Sequence, residues 1–521
     1  MALNNLETGA ITDETSIPMN RDVWHLIFDQ IDSRQDLCNV CLTSRAWSAM
    51  AITHLYRIIP LQPHEIIDWE VEDDPLVFVR PLISRLLDTK NEQLRNAVHE
   101  LDFGLFRDEE DEDLGFMETQ LVALVDSLPN LRRVKLRSTP RQKLFEDLTR
   151  HGKRISLHLL GEDGKRPVEN DLPNVAVLAA QVNPTLDHDG PNRDVLGIQK
   201  LMFACPNLTS FSLKIVGGYG GCVRRPARFP RIRSFQFSGD EVFPPLEELS
   251  LSGYKRTEDE EWHWQERFQW SKLRSLTLGP LYTVDFLDVA AGYAESLRDL
   301  EVKVYDDAAG RLNCPPLKSF LKTFTSLESL TVRGYHLPVG TIGNHPDLKN
   351  LCLHAFEPVR GDSQRPTLSV EQLKELDKRC PRLETLELDL YRDGKWPEEF
   401  LKALATGFGN LRRLTLHLEL GIRTVRGFIG PEKEKTVYIQ PILNEDSAKD
   451  VGGQFFKWRS SSKLSVLVLK TGETLRRYPQ WEPPYSSFER KHATEMEVYN
   501  PWNTEGVPKV VVLDNRSLPY H

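Results

Sequence analysis

The sequence predicts an α/β chain: three short N-terminal helices followed by an irregular, horseshoe-like repeat solenoid with short parallel strands on its concave face. Three observations carry this. The chain is 521 residues long, more than one hydrophobic core ordinarily serves, so several domains or a stacked architecture is required. Its 40% apolar and 27% charged residues are those of a folded chain with a large core. From residue 98 onward the pattern apolar-x-x-apolar-x-apolar returns again and again.

The N-terminal region is resolved by helical periodicity. Residues 1–15 are polar and are expected to form a disordered tail. In the first helix Asn20 is placed to cap, and Val23, Ile27 and Ile31 recur every four residues as one apolar stripe. In the second, Ser33 with Asp36 forms a weak capping box, and Leu37, Val40 and Cys41 share a face. The third runs from about Ser44 through Trp47, Met50, Ala51 and Leu55. Residues 58–97 carry Trp69, Phe78, Leu82, Leu86 and Leu87 in a helical pattern and are expected to be a packed linker.

Repeat units follow over residues 98–470. They begin at Val98, Leu131, Leu208, Ile232, Leu246, Leu273, Leu297, Leu327, Leu348, Leu383, Leu411 and Leu464, with a degenerate unit at Leu172. Leu273-Arg-Ser-Leu276-Thr-Leu278 is the clearest. The pattern is the strand half of a leucine-rich repeat, in which each unit buries its leucines only by stacking on its neighbours. Spacing is irregular: Ile232 and Leu246 are too close for a full unit, and residues 137–207 and 417–463 must hold insertions or decayed repeats. Cys205-Pro206 and Cys380-Pro381 end the helices that precede two strands. Residues 471–521, rich in aromatics and prolines, are expected to cap the last unit.

The residues Ile17-Pro18, Ile27, Ile31, Asp36-Leu37, Val40 and Leu42-Thr-Ser-Arg-Ala-Trp47 resemble the F-box, and residues 16–57 are assigned to that module. The sequence differs from the usual pattern at Ile17, where leucine is common, and at Asn20-Arg21, where an acid is common. The resemblance implies docking on the Skp adaptor and, through it, on cullin and RING subunits. Pro18, Ile31, Leu37 and Trp47 are the positions carried over to that interface. An F-box joined to leucine-rich repeats implies a substrate-recognition subunit of an SCF-type ubiquitin ligase. The alternative is a non-catalytic leucine-rich-repeat scaffold acting without a cullin ligase.

The repeat pattern also predicts a surface. Strand side chains alternate, so the residue after the last apolar position of each unit faces away from the core. That row is Gly104, Arg137, Lys214, Ser238, Ser252, Gly279, Lys303, Arg333, His354, Asp389, His417 and Lys470. Five of the twelve are Lys or Arg in a chain of net charge -10. Arg137, Lys214, Lys303 and Arg333 are therefore candidate contacts for an acidic or phosphorylated target segment.

No motif points to catalysis, a metal or a cofactor. Cys38-x-x-Cys41 and His54 lack a fourth ligand at zinc-finger spacing, because His64 lies too far on. The acidic run 108–113 lacks the glycine and glutamate of a calcium loop, and Gly217 to Gly221 lacks a phosphate-loop lysine. The expectation is a receptor with no intrinsic catalytic site and no cofactor. The acidic balance speaks against nucleic acid as a partner, and no apolar run reaches membrane-span length. The seven cysteines are odd in number and scattered, and Glu7, Asp13 and Glu14 interrupt any leader-like start, so a cytoplasmic or nuclear protein is expected.

Overall fold

A computed structural model describes residues 20–61, 79–104, 112–182, 194–215, 234–279, 285–304, 315–355, 366–419, 422–424, 436–438, 440–471, 494–500 and 508–513, with breaks at 32, 152–154, 166–167, 169, 240, 393 and 460–462. The chain divides into two compact units, residues 1–162 with 172–177 and residues 163–171 with 178–521.

In the first unit three helices, α1 (Arg21–Phe28), α2 (Arg34–Thr43) and α3 (Arg45–Leu55), start at the expected caps. Asn20 Oδ1 accepts from the Asp22 amide at 3.1 Å, Ser33 Oγ from the Asp36 amide at 3.2 Å, and Ser44 Oγ from the Trp47 amide at 3.2 Å. Their core is Phe28, Leu37 and Ala51, with Trp24, Ile31, Val40, Cys41, Trp47, Met50 and Leu55 packed around it. The expected stripe on α1 is corrected. Trp24 and Phe28 turn inward and Val23 and Ile27 are left 40% and 39% exposed, because an i, i+4 aromatic pair removes more apolar area from water than Val and Ile one position away.

Strands β1 (Ile58–Leu61), β2 (Glu100–Phe103), β3 (Arg133–Leu136) and β4 (Ser156–Glu162) then pair in parallel and in chain order. β1 follows α3 after two residues, so the ladder begins at Ile58 and not at residue 98. Between β1 and β2 lie α4 (Val79–Leu87) and α5 (Glu92–Ala97). Val79, Ile83 and Leu86 form the buried face of α4, so residues 58–97 contribute a strand and helices to the first unit. Trp69 and Phe78 lie outside the described residues, as do residues 1–15.

β5 (Val175–Val182) crosses the boundary between the units. With β4 it fills the long gap before Leu208, and it is the strand of the degenerate unit that starts at Leu172. In the second unit β6 (Ser210–Ile215), β7 (Glu248–Ser252), β8 (Ser275–Leu278), β9 (Asp299–Lys303), β10 (Ser329–Arg333), β11 (Asn350–His354), β12 (Thr385–Leu390) and β13 (Arg413–Leu418) pair in parallel, each with the next. The insertion after β13 holds the hairpin β14 (Ile422–Thr424) and β15 (Thr436–Tyr438) and a helix, Glu445–Trp458. β16 (Val466–Thr471) rejoins the ladder beside β13. β17 (Thr494–Tyr499) and β18 (Lys509–Leu513) close it antiparallel.

The order is that of a leucine-rich-repeat-like solenoid. Leu276, Leu278, Leu300, Val302, Leu330, Val332, Leu386, Leu388, Leu414 and Leu416 are all 2% exposed or less, and each fully buried aliphatic side chain contributes roughly 1.5–3 kcal/mol. In-register pairing puts them in two stacked rows, which makes one core of many weak units. The helix Val370–Arg379 starts at a capping box of Ser369 with Gln372 and ends at Cys380, before Pro381. Gly334 adopts φ +82 after β10, a conformation that favours glycine.

One repeat assignment fails. Ile232 lies outside the described residues, and residues 234–239 form no strand. Phe235 instead joins Phe243, Tyr254, Trp264, Phe268 and Phe286, all buried and in ring-to-ring contact through Trp264. An apolar run that satisfies the repeat pattern has been recruited into an aromatic cluster. Ser238 accordingly does not belong to the strand row.

Candidate functional site

The chemistry of this chain is distributed over two surfaces, the helical module and the outer face of the strands. On the module, Ile31, Leu37 and Trp47, three of the four residues assigned from the sequence to the adaptor interface, pack inward. Leu37 is 6% exposed, and Ile31 and Trp47 pack on its core. Trp47 stacks at a tilt on Trp24 with ring centroids 4.7 Å apart and meets Phe28 at 6.2 Å. Pro18 lies outside the described residues. Leu37 and Trp47 therefore hold the three helices together, and Leu37→Ala is expected to cost about 2–4 kcal/mol of module stability. Loss of cooperative near-ultraviolet signal on denaturation measures this. An unchanged midpoint would show that Leu37 is not part of the core.

The side chains that sequence reading missed are the ones the module leaves in water. Val23, Leu26 and Ile27 lie on one face of α1, and Leu42 lies near the end of α2; Leu26 is 65% and Leu42 84% exposed. The signal for them was present: Trp24 and Phe28, four apart, outweigh the flanking aliphatics and rotate the helix about 100°.

On the strands, the expected row is geometrically real. Lys303, Arg333 and His354 are consecutive partners across β9, β10 and β11, and Asp389, His417 and Lys470 are consecutive partners across β12, β13 and β16. Lys214 stands opposite Ser252. Four of its five cations are held by nearby acids. Arg137 grips buried Asp102 with two bonds of 2.7 Å, Lys303 pairs with Glu301 at 3.0 Å, and Arg333 pairs with Glu387 at 3.0 Å. Lys470 pairs with Glu495 at 3.1 Å. Lys214 is exposed, with no ion pair among the described residues.

The row thus does not present an array of uncompensated cations to an acidic target. The acids sit two residues earlier on the same strand face, at Asp102, Glu301 and Glu387. A reading confined to one position per strand missed them.

The densest part of this face is buried. His354 is 0% exposed and its Nδ1 donates to Asp389 at 2.8 Å; it stacks on His417 with centroids 3.8 Å apart. His417 in turn donates to Glu387. Burial raises the Glu387 carboxyl, but the hydrogen bond and charge of His417, with Arg333 and Lys470, outweigh it and hold the group at about 2. Cys352 lies beside it, and burial together with the Glu387 carboxylate pushes its thiol well above the ordinary range. It remains a protonated thiol at neutral pH, the opposite of an activated nucleophile.

In the first unit His158 on β4 neighbours Lys135, and burial, aided by Arg133 and Lys135, lowers it to about 4 against the pull of Glu100. Among the described residues the strand face is therefore a largely self-compensated polar surface with buried histidines and no nucleophile–base pair.

No family model matches the chain, and no curated protein matches it. Among solved structures, the leucine-rich repeat-containing protein LegL7 from Legionella pneumophila is similar at 14% identity and a TM-score of 0.29, over 69% of this chain and 90% of that one. The structure of the Toll–Spatzle complex from Drosophila is similar at 13% identity and a TM-score of 0.23, over 72% of this chain and 42% of that one.

Proposed function

We propose that the chain is the substrate-recognition subunit of an SCF-type ubiquitin ligase. In this reading the N-terminal helices dock on the Skp adaptor and the repeat strands hold a target protein. The observation that carries it is the apolar surface of the helical module: Val23, Leu26, Ile27 and Leu42 are exposed in a domain whose other large apolar side chains pack together. A module of three short helices that leaves such side chains in water is suited to burying them on a partner. The F-box-like motif from Ile17 to Trp47 gives that partner its identity.

The strand face supports the second half of the proposal. Among the described residues it offers many paired polar groups on rigid elements and no catalytic constellation, which fits a binding role. Ubiquitin transfer would belong to other subunits. This chain would act by raising the local concentration of target lysines near the charged enzyme.

Adaptor binding tests the proposal. Full-length protein is expected to co-elute with the Skp adaptor, and Leu26→Asp combined with Leu42→Asp is expected to weaken the complex by about a hundredfold or more while the circular dichroism spectrum is kept. Failure of the folded wild type to bind would leave a repeat scaffold that acts without a cullin ligase.

A further inference from the structure

We propose that the first unit contains a second binding site, an oxyanion pocket of the phosphate class, whose affinity is coupled to proton uptake by a histidine pair. It is a cavity of ≈ 750 Å³ bordered by α1, α3, α5 and the residues entering β2 and β3. Its size is that of a small-ligand site. The proposal stands independently of adaptor docking.

The protonation logic follows from who can donate. Asp29 accepts from Arg57 at 2.9 Å and from His54 Nδ1 at 3.1 Å. A carboxylate only accepts, so His54 carries its proton on Nδ1, and neutral His54 then has an acceptor at Nε2. His25 Nδ1 lies 2.8 Å from that nitrogen and must donate to it, which leaves the lone pair of His25 on Nε2. His99 Nδ1 likewise donates to the Ala97 carbonyl at 2.7 Å. The bonds inside the protein thus fix one tautomer of each ring.

The charge balance follows. The ionisable groups facing the histidine pair are Asp29, Arg57, Glu92, His99 and Arg132. With neutral imidazoles the two guanidinium groups cancel the two carboxylates, and Asp29 is already engaged by Arg57 and His54. One proton, taken up at the free Nε2 of His25, adds a positive charge and an N–H donor. A bound oxyanion supplies the opposing charge that favours this uptake, so binding and protonation are linked. Several donors from different elements suit a tetrahedral group with several acceptor oxygens better than a single planar carboxylate.

The test uses the full-length chain and inorganic phosphate, followed by titration calorimetry at pH 6 and pH 8. Phosphate itself gains a proton between pH 8 and pH 6, so sulfate, which does not titrate there, is the parallel probe. Sulfate is expected to bind with proton uptake and about tenfold more tightly at the lower pH, and equal sulfate affinity at both would overturn the coupling. Arg132→Glu, a change at an exposed residue, is expected to weaken binding by about tenfold or more, and His99→Gln provides a second variant should the first fail to fold. A phosphoserine peptide forms the other arm. Tighter binding than phosphate, lost in the same variants, would assign the site to a phosphorylated partner, and equal binding would assign it to free phosphate. No binding at either pH, or binding unchanged in both variants, would overturn the proposal.

Discussion

Glu387→Gln is expected to destabilise the second unit by about 3 kcal/mol, because it leaves Arg333 and His417 without their shared countercharge in a largely buried site. Arg333 and Glu387 retain side-chain exposures of 23% and 19%, so some solvent screening remains and the cost falls at the low end of that for a broken buried pair. Urea denaturation followed by tryptophan fluorescence measures it. The functional consequence is separate: the variant face becomes more basic, so its affinity for an acidic peptide is expected to rise and to become more salt-dependent than that of the wild type. A variant as stable as wild type would show that the Arg333–Glu387–His417 chain is not a structural unit.

The second large effect is acid lability. Burial is the leading cause that lowers His54, His158, His336 and His345 in the folded chain. A histidine with a depressed folded value binds more protons when unfolded, so its contribution is fully present above the unfolded value of about 6.5 and is lost as pH falls toward the folded value. Stability is therefore expected to drop from about pH 6.5 downward, by roughly 1–2 kcal/mol in each unit after allowance for partial exposure. For His54 the geometry gives the same sign, since double protonation of the His25–His54 pair would set two N–H groups against each other 2.8 Å apart. His158→Gln and His345→Gln are expected to flatten this dependence. A melting temperature constant between pH 7 and pH 5 would contradict the assignment.

Much of the architecture was written locally. The caps at Asn20, Ser33 and Ser44 form where a polar residue precedes an apolar period, because a cap involves only neighbours three residues apart or closer. The leucine rows of β6–β13 were legible because a strand's inward residues alternate whatever lies beyond it. By the same rule Lys303, Arg333 and His354 could be aligned before any register was known.

What the sequence alone could not decide was competition between equally apolar residues and pairing between distant ones. Trp24 and Phe28 against Val23 and Ile27 is settled by which face meets Trp47 and Ala51, a tertiary choice. Ile232 fits the repeat pattern, yet neighbouring Phe235 packs on Trp264. Strands β1 and β4 show only short, imperfect patterns and are held by their partners across the ladder. The ion pairs Arg137–Asp102 and Arg333–Glu387 and the histidine pair His25–His54 join residues 35, 54 and 29 apart in the chain. The sequence by itself determined the helix caps and the leucine-row strands β6–β13, since those signals are local. Tertiary structure alone decided which charges are already paired and which apolar side chains remain exposed, since both depend on what each side chain meets across the fold.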